Sequence, residues 1–410
     1  MSASLFNDKI IQSALDLDVY KINMMFAAFT HYPQTVVRYE LIVRSSEDIS
    51  DLQSLIEKEI NQLSDCRFTT SDISYLRQHA SYLSDDFLSY LADFRFLPQL
   101  QVTVSQTDGQ LSVSIKGLWH ETILYETLVM SIISEVRSRQ RWNKIPTTHF
   151  SKVLEQKVSV LKSELSKRSI TNFNFSEMGS RRRFSAQVQH NVVAYLNQHV
   201  PELMTGTSNY RLAKKFDLTP IGTVAHEWFM AHQALFEPAK SQQVALDLWQ
   251  STFDGKLGIA LTDTIGIDAF LKDFNLERAS AYAGVRHDSG NPFDWGDKMI
   301  THYESLGIDP MSKVLIFTDG LNFARAIEIC EYFAGRANIS FGIGTFLAND
   351  MGGYVSDGIE YQPLSIVVKM AECNGRPVAK ISDEPEKAMC EDLLFLTSLK
   401  RSFGLLPQHS

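Results

Sequence analysis

LGIALTD (Leu257–Asp263) is the first of five apolar segments in the second half of the chain that each end in polar or glycine-rich residues. The other four are YAGVRHDSG (Tyr282–Gly290), KVLIFTDG (Lys313–Gly320), ISFGIGT (Ile339–Thr345) and LSIVVKMAECNG (Leu364–Gly375). Their starts are 25 to 31 residues apart, which is the length of one β/α unit. Continuous apolar strands are typical of a parallel sheet that is covered on both faces. The run of units favours an α/β barrel, in which the active site lies at the carboxyl ends of the strands.

The first half of the chain has a different pattern, which indicates an α+β domain. Its predicted elements are a helical segment at 9–30, a strand at 36–43, helices at 51–64 and 72–93, a hairpin at 100–117 around Asp108-Gly109, and a helix at 121–139. We therefore expect residues 1–140 to form an N-terminal α+β sandwich domain, with part of the C-terminal tail as a further candidate member. Residues 141–410 are expected to form the barrel that carries the active site.

Composition excludes several classes of protein. The chain has 410 residues, of which 44% are hydrophobic and 21% charged, so intrinsic disorder is excluded. The net charge is −9, which disfavours a nucleic-acid binder and requires any positive charge for an anionic ligand to be concentrated locally. The four cysteines show no C-x-x-C spacing, and no basic leader or run of 18 apolar residues occurs. We expect a cytoplasmic protein without a membrane partner.

The segment Gly179–Phe184 concentrates positive charge, because three arginines follow Gly179 and Ser180. It precedes a helical stretch, FSAQVQHNVVAYL, whose free N–H groups would add to an anion site. Arginine offers paired donors to phosphate oxygens. The alternative is a solvated basic start of a helix.

His226 and Glu227 are adjacent in TVAHEW. A zinc hydrolase would need a second histidine at position 230, which is Met230, so that interpretation fails. His226 is a candidate nucleophile, with Asp263 as a carboxylate that could hold one ring nitrogen and leave the other free. The alternative is a structural histidine.

The densest polar cluster is RHDSGNP (Arg286–Pro292), which follows a predicted strand. Arg286 suits a phosphate and Asp288 suits sugar hydroxyls or a metal ion, so the pair indicates a phosphorylated sugar. The alternative, compatible with the first, is a helix cap by Asp288 or Ser289 with Pro292 in the first turn.

Glycines at two further strand ends could let a phosphate approach backbone N–H groups. They belong to Asp319-Gly320 and to the segment Gly342-Ile343-Gly344-Thr345. Each is also compatible with an ordinary turn. The sequence contains no Walker A motif, no complete G-x-G-x-x-G and no G-x-S-x-G, so P-loop, Rossmann and nucleophile-elbow interpretations lack support.

Eight segments recur along the chain in the order of one known family. They are LDLDVYK (Leu15–Lys21), GSRRRFS (Gly179–Ser185), GTSNYRLA (Gly206–Ala213), IGTVAHEWFMAHQAL (Ile221–Leu235), LGIALTDTIGIDAFL (Leu257–Leu271), GVRHDSGNPFDWG (Gly284–Gly296), FGIGTFL (Phe341–Leu347) and KMAECNGRPVAKISDEPEK (Lys369–Lys387). On these segments the chain resembles the nicotinate phosphoribosyltransferase family. The resemblance implies a type II phosphoribosyltransferase fold, in which an α/β sandwich domain packs on an irregular α/β barrel. It also implies a homodimer with shared active sites.

The reaction implied by the resemblance joins nicotinate to phosphoribosyl pyrophosphate and gives nicotinate mononucleotide and pyrophosphate, with coupled ATP hydrolysis. ATP is therefore an expected co-substrate, and Mg²⁺ is expected to bind mainly through substrate phosphates rather than through a dedicated protein site. His226 matches the histidine that ATP phosphorylates, and Asp263 matches the residue that steadies it. Arg286 matches an anion-binding arginine, and Asp288 matches an acid near the ribose and pyrophosphate.

The remaining implied roles concern substrate binding. Tyr20 matches a residue that stacks on the pyridine ring from the neighbouring subunit, Arg181 matches a second anion-binding arginine after Gly179, and Met178 replaces a phenylalanine that many relatives use as a wall of the ring site. The other matched positions are Ser208 and Asn209, where the family distinguishes a carboxylate from an amide, and the ribose-phosphate loops with Asp319, Gly320, Gly344 and Thr345. Lys380 and Lys387 are candidates for contact with nucleotide phosphates or for a solvated role.

Three rival functions follow from the same residues. Nicotinamide phosphoribosyltransferase would favour an acid at the position of Ser208. Quinolinate phosphoribosyltransferase would not need the motif around His226, because it does not use ATP. A catalytically inactive homologue would be expected to lose part of the set formed by Arg181, His226, Arg286 and Asp288.

Overall fold

The computed structural model describes residues 4–384 and 388–406, which form two large sheets and one two-stranded sheet, β10-β11, with helices packed around them. The strands are β1 Val36–Val43, β2 Val102–Thr107, β3 Gln110–Leu118, β4 Phe175–Glu177, β5 Met204–Thr207, β6 Ile259–Leu261, β7 Gly284–His287, β8 Val314–Phe317, β9 Asn338–Ile343, β10 Val355–Ser356, β11 Ile359–Glu360, β12 Ile366–Cys373 and β13 Arg376–Pro377. The helices are α1 Val19–His31, α2 Gln53–Asn61, α3 Thr70–His79, α4 Asp85–Asp93, α5 Pro98–Gln101, α6 Trp119–Thr122, α7 Tyr125–Arg141, α8 Thr147–Lys167, α9 Ala186–His199, α10 Tyr210–Phe216, α11 His226–Leu235, α12 Pro238–Phe253, α13 Ile267–Asp273, α14 Leu276–Ala281, α15 Pro292–Ser305, α16 Phe323–Tyr332, α17 Thr345–Ala348 and α18 Leu393–Ser402. Short 3₁₀ turns occur at Ser50–Leu52, Gln62–Asp65, Ser180–Arg182 and Pro310–Ser312.

The parallel sheet has the strand order β5-β4-β9-β8-β7-β6. The segment at 219–223 lies between its two edges: Thr207 pairs with Pro220 in parallel, and the hydroxyl of Thr223 donates to the carbonyl of Ile259 at 3.5 Å. This segment closes the sheet without a regular strand, so the predicted irregular α/β barrel is confirmed.

The barrel strands differ from the predicted set in two ways. Four of the five apolar segments form β6 to β9, but the fifth, at 364–375, forms β12, which pairs antiparallel with β1 in the other sheet. The barrel instead gains β4 and β5, which are only three and four residues long. The prediction of the fifth segment as a barrel strand was therefore wrong, because its apolar pattern fits any strand that is covered on both faces.

The antiparallel sheet has the order β13-β12-β1-β3-β2, so a C-terminal strand lies beside the first strand of the chain. The predicted strand at 36–43 is confirmed as β1, and the predicted hairpin forms β2 and β3. Asp108 and Gly109 both have positive φ at its turn, 51° and 76°, as a two-residue hairpin of this type requires. The predicted helix at 72–93 is divided into α3 and α4, where Ser84 caps the second helix.

A continuous hydrophobic core runs through both sheets. Its largest fully buried side chains include Trp119, Trp228 and Trp249, and the indoles of Trp119 and Trp228 stack with 5.7 Å between their centroids. Since Trp119 lies in α6 and Trp228 in α11, this stacking ties the antiparallel sheet to the helix that begins at His226. The boundary at residue 140 stays a prediction. None of the described helices is both long enough and apolar enough to span a lipid bilayer.

Candidate active site

The site residues predicted in the barrel lie at the carboxyl ends of its strands or directly after them. His226 follows the closing segment, Asp263 follows β6, Arg286 and Asp288 flank the end of β7, and Asp319 follows β8. Because the carboxyl ends of parallel strands meet at one rim, these side chains lie at one end of the barrel. The remaining residues at the same rim are Met178 and Gly179 after β4, Ser208 and Asn209 after β5, and Gly344 and Thr345 after β9.

His226 and Asp263 form the central pair of the site. Nε2 of His226 lies 2.8 Å from Oδ1 of Asp263, and both side chains are buried. Burial lowers the pKa of His226 to about 4, with a further contribution from the ammonium of Lys380. The imidazole is therefore neutral at pH 7, with its proton on the nitrogen that faces Asp263. Nδ1 then carries a lone pair that can act as a nucleophile.

The carboxylate of Asp263 is held from its other side as well. Oδ2 accepts a hydrogen bond from the hydroxyl of Ser289 at 2.6 Å and lies 2.9 Å from Nζ of Lys380. Burial alone would raise the pKa of Asp263, but His226 and Lys380 hold it well below its usual range. Asp263 is consequently an anion that is fixed in position by three partners.

Asp288 lies next to this pair. Its Oδ2 is 3.7 Å from Nε2 of His226, and its Oδ1 accepts from the hydroxyl of Thr318 at 2.8 Å. Against the opposing effect of burial, Arg286 and then His226 lower the pKa of Asp288 to about 2. The buried Nε of Arg286 has no partner in the described structure, which is compatible with an anionic ligand at this place.

A second group of side chains surrounds Arg181. Nε of Arg181 lies 3.6 Å from Oδ2 of Asp18, whose Oδ1 accepts from the hydroxyl of Ser208 at 2.5 Å. The guanidinium carbon of Arg181 is 5.8 Å from the ring centroid of Tyr20. The Arg181 side chain remains 41% exposed, so it can still bind a ligand. Tyr20 reaches this group within its own chain, and its contribution across a subunit interface stays a prediction.

The three arginines of the basic segment have separate environments. Arg183 is fully buried and bonds to Asp16 at 2.8 Å, and Arg182 donates to the carbonyl of Ile366 at 2.9 Å. Arg183 is therefore taken up by the protein, whereas Arg181 and the terminal nitrogens of Arg182 remain candidates for binding a ligand. The expected helix start is displaced, because α9 begins at Ala186 and is capped by Ser185. Arg181 lies instead in the 3₁₀ turn before α9, and the anion site predicted for this segment stays a prediction.

Met178 and the glycines around it are closely packed. A Cβ on Gly342 would lie 2.4 Å from Sδ of Met178, and a Cβ on Gly344 would lie 2.7 Å from the carbonyl oxygen of Met178. A Cβ on Gly179 would collide with Ala348 at 2.3 Å. Gly344 is therefore required so that the ends of β4 and β9 can approach each other, and Gly179 is required by its packing against α17. The cap of α15 also differs from the expectation: Pro292 is in the first turn as predicted, but Asn291 is the cap.

Comparisons with known proteins place this arrangement in a family. The model of the nicotinate phosphoribosyltransferase (NAPRTase) family matches residues 173–406, and the model of its N-terminal domain matches residues 15–134. The chain belongs to the nicotinate phosphoribosyltransferase family. A relative named nicotinate phosphoribosyltransferase, from Vibrio vulnificus strain YJ016, is 67% identical over 99% of this chain and 94% of its own length.

Solved structures of the family agree with the observed fold. The crystal structure of nicotinate phosphoribosyltransferase from Vibrio cholerae has a TM-score of 0.96 at 60% identity and covers 98% of this chain and 96% of its own. That of nicotinate phosphoribosyltransferase from Porphyromonas gingivalis has a TM-score of 0.89 at 34% identity, with 96% and 100% covered. The type II phosphoribosyltransferase fold expected from the resemblance is confirmed.

Asn209 has a structural role in this member of the family. Its side-chain oxygen caps α10 by accepting from the N–H of Leu212 at 3.1 Å, and its Nδ2 donates to Asp16 at 3.0 Å and lies 3.3 Å from Oγ of Ser180. The side chain is fully buried. These contacts use both ends of the amide, and its predicted contact with a ligand stays a prediction.

Gly320, with a φ of 58°, leaves open space where a Cβ would stand.

Two lysines of the C-terminal tail belong to the site. Lys380 is buried against Asp263, so its solvated alternative is excluded, whereas Lys387 lies outside the described residues. Lys369 on β12 was not singled out from the sequence. Burial lowers its pKa to about 8, and Glu126, Lys380, Arg181 and Asp288 all act on it electrostatically. The only feature of the sequence that pointed to Lys369 was its position in the family-like segment Lys369–Lys387.

Proposed function

We propose that this protein catalyses the reaction of the nicotinate phosphoribosyltransferase family: nicotinate and phosphoribosyl pyrophosphate give nicotinate mononucleotide and pyrophosphate, with coupled hydrolysis of ATP. The observation that carries the proposal is the imidazole of His226 held by Asp263 at 2.8 Å and beside Asp288, at the barrel rim of a member of this family. Such an imidazole suits phosphorylation by ATP. Arg181, beside the Tyr20 ring, suits the carboxylate of nicotinate, and Arg286 suits the pyrophosphate of the other substrate.

His226 performs the ATP-dependent step in this proposal. Nδ1 attacks the γ-phosphorus of ATP, and the bond from that phosphorus to the bridging oxygen breaks, so ADP leaves with the electron pair. The proton on Nε2 stays in the hydrogen bond to Asp263, which stabilises the positive charge that develops on the ring. The phosphoryl group is transferred to water later in the cycle, and the neutral imidazole is restored.

The glycosyl transfer needs little acid–base chemistry. The pyridine nitrogen of nicotinate forms a bond to the ribose C1 while the bond from C1 to the pyrophosphate oxygen breaks. Positive charge develops on the ribose and negative charge on the leaving group. Arg286 would bind that negative charge and Asp288, an anion because of its lowered pKa of about 2, would stabilise the ribose cation.

Mg²⁺ is proposed to arrive with the substrate phosphates. Asp288, whose side chain is 30% exposed, and Asp319 at the next strand end offer the oxygen ligands that this ion prefers. Bound there, the ion would neutralise charge on the pyrophosphate. His226, Asp263 and Asp288 also lie close enough to hold an ion, but Ser289, Lys380 and His226 already occupy both oxygens of Asp263.

An assay of pyrophosphate release tests the proposal. The full chain is supplied with phosphoribosyl pyrophosphate, Mg²⁺ and either nicotinate, nicotinamide or quinolinate, each with and without ATP. We expect release with nicotinate and a stimulation by ATP. Release of pyrophosphate with nicotinamide but not with nicotinate would favour the rival amide-using enzyme. Release with quinolinate that does not depend on ATP would contradict the role of His226. We also propose that the protein is a homodimer with shared active sites and that it is cytoplasmic. The molecular mass of the protein in solution tests whether it is a dimer.

A further inference from the structure

Three helices begin at one buried ion cluster, formed by Lys21, Glu126 and Glu227. These residues lie in the first turns of α1, α7 and α11. Nζ of Lys21 is 2.5 Å from Oε2 of Glu126 and 2.5 Å from Oε2 of Glu227. The lysine side chain is fully buried, and the two carboxylate side chains are 7% and 6% exposed. A single ammonium is therefore shared by two carboxylates away from water.

One end of the cluster is attached to the histidine of the proposed ATP-dependent step. Glu227 is the next residue after His226 in the first turn of α11. Besides Lys21, it accepts hydrogen bonds from Nε1 of Trp119 at 2.7 Å and from the hydroxyl of Tyr39. The position of the first turn of α11 thus depends on how strongly these three donors hold Glu227.

The other end of the cluster is attached to the proposed nicotinate site. Oε1 of Glu126 lies 3.9 Å from Nη1 of Arg181, whose Nε is 3.6 Å from Asp18. Lys21 also follows Tyr20, the ring next to Arg181. Arg181, which is available to a ligand, therefore shares its charge between two carboxylates of the protein.

The burial of this cluster is not by itself evidence of a gain in the stability of the fold. A buried ion pair is often no more stabilising than apolar residues of similar volume, because both charges lose their hydration. A lysine in the first turn of a helix also opposes the helix dipole, which favours anions there. Lys21 occupies such a place in α1, whereas Glu126 and Glu227 are favourably placed in theirs.

We propose that Lys21 is a positioning residue that couples occupancy of the nicotinate site to the state of His226, an inference that rests on the proposed function. When a nicotinate carboxylate binds Arg181, less of the guanidinium charge compensates Glu126. Glu126 then attracts Lys21 more strongly, and Glu227 holds the first turn of α11 mainly through Trp119 and Tyr39. The coupling acts in both directions. If bound nicotinate shifts the phosphorylation equilibrium of His226 by some factor, phosphorylation of His226 must change the affinity for nicotinate by the same factor.

The number of ATP molecules hydrolysed per nicotinate mononucleotide formed measures this coupling. The test variants are Lys21→Met, which removes the shared charge, and Glu227→Gln and Tyr39→Phe, which weaken the histidine end but leave Lys21 paired with Glu126. We expect each to raise the ratio, by about tenfold for Lys21→Met, and to reduce the effect of ATP on the KM for nicotinate. The matched control is Arg137→Met, which breaks the partly buried pair of Arg137 with Glu47 away from the site and should lower only the melting temperature.

The outcomes separate this inference from the proposed function. A wild-type chain that forms no nicotinate mononucleotide overturns the proposed function itself. A wild-type chain that forms it, with variants that keep the wild-type ratio and the wild-type response of KM to ATP, overturns the role of Lys21. If Lys21→Met does not fold, Glu227→Gln and Tyr39→Phe decide the question by the same two measurements.

Discussion

Nζ of Lys380 lies 2.9 Å from Oδ2 of Asp263, while Oδ1 of the same carboxylate binds His226. The ammonium thus lies beside the histidine that is proposed to carry a phosphoryl group, and it contributes to the low pKa of that histidine. Before phosphorylation, Lys380 balances the charge of Asp263. We expect the same positive charge to act on the phosphoryl oxygens once His226 carries the phosphoryl group.

Replacement of Lys380 by methionine should slow the formation of phosphohistidine from ATP. A charged donor that acts on the transferred group typically accounts for a factor of about a hundred in rate, and we expect a loss of that order. The measurement is the initial rate at which acid-labile label from γ-labelled ATP appears on the protein.

Ser289→Ala is the matched control for Lys380→Met, because Ser289 donates to the same oxygen of Asp263 without carrying a charge. We expect a much smaller loss of rate in this variant. Equal losses in the two variants would show that Lys380 acts only by fixing Asp263.

Label that persists in His226→Ala would move the phosphohistidine to another residue.

Arg286→Ala should nearly abolish nucleotide synthesis. The side chain is proposed to bind the leaving pyrophosphate, and the loss of one well-placed donor costs roughly 3 kcal/mol, or about a hundredfold in rate. Arg286 also holds the pKa of Asp288 at about 2, so this pKa should rise in the variant and the acid limb of the rate profile should move to higher pH. Steady-state kinetics from pH 4 to 8 measure the loss of rate, and an acid limb that enters this range in the variant but lies below it in the wild type reports the raised pKa of Asp288. Wild-type kinetics in Arg286→Ala would refute the assigned role.

The sequence predicted most of the architecture because hydrophobic periodicity and turn residues act locally. β6 to β9 and the hairpin of β2 and β3 were recognised from apolar runs and from Asp108-Gly109. β4 and β5 were missed, since three or four residues are too few to show a period. β12 was assigned to the wrong sheet, because its partner β1 lies more than 300 residues earlier in the chain and pairing over such a separation leaves no local signal.

The site was predicted only where a motif surrounds it. The sequence predicts that Asp263 holds one ring nitrogen of His226, and the structure brings the two side chains to 2.8 Å. Lys21 was quoted only as the last residue of a motif, although it bridges two carboxylates. A buried lysine is indistinguishable from an exposed one in a sequence, because its burial depends on partners that are 105 and 206 residues away.

Met178→Ala should weaken nicotinate binding and leave the chemical step almost unchanged. A thioether next to an aromatic ring contributes about 0.3–1.5 kcal/mol, so the KM for nicotinate should rise roughly two- to tenfold at constant kcat. The comparison variant is Met178→Leu, which keeps apolar volume beside Gly342 and should show a smaller rise. A fall in kcat without any change in KM would contradict a contact between Met178 and the pyridine ring.

Glu177 lies at the end of β4, immediately before Met178, and is fully buried. It accepts hydrogen bonds from the N–H of Gly179 at 2.6 Å and from Thr207 at 2.7 Å. Burial nevertheless raises its pKa to about 7. One carboxyl group thus joins the ends of β4 and β5, and it gains a charge as the pH rises through neutrality.

The free energy of unfolding should fall between pH 4.5 and 7 because of Glu177. In this interval the unfolded chain has already lost the proton of the carboxyl group, whereas the folded chain retains it, so rising pH favours unfolding. A shift from 4.5 to about 7 corresponds to roughly 2–4 kcal/mol at pH 8. Glu177→Gln removes the titrating group and keeps an oxygen for Gly179, so urea unfolding at pH 5 and 8 should show a smaller loss of stability than in the wild type. An unchanged pH dependence would mean that Glu177 ionises in the folded chain as it does in the unfolded one.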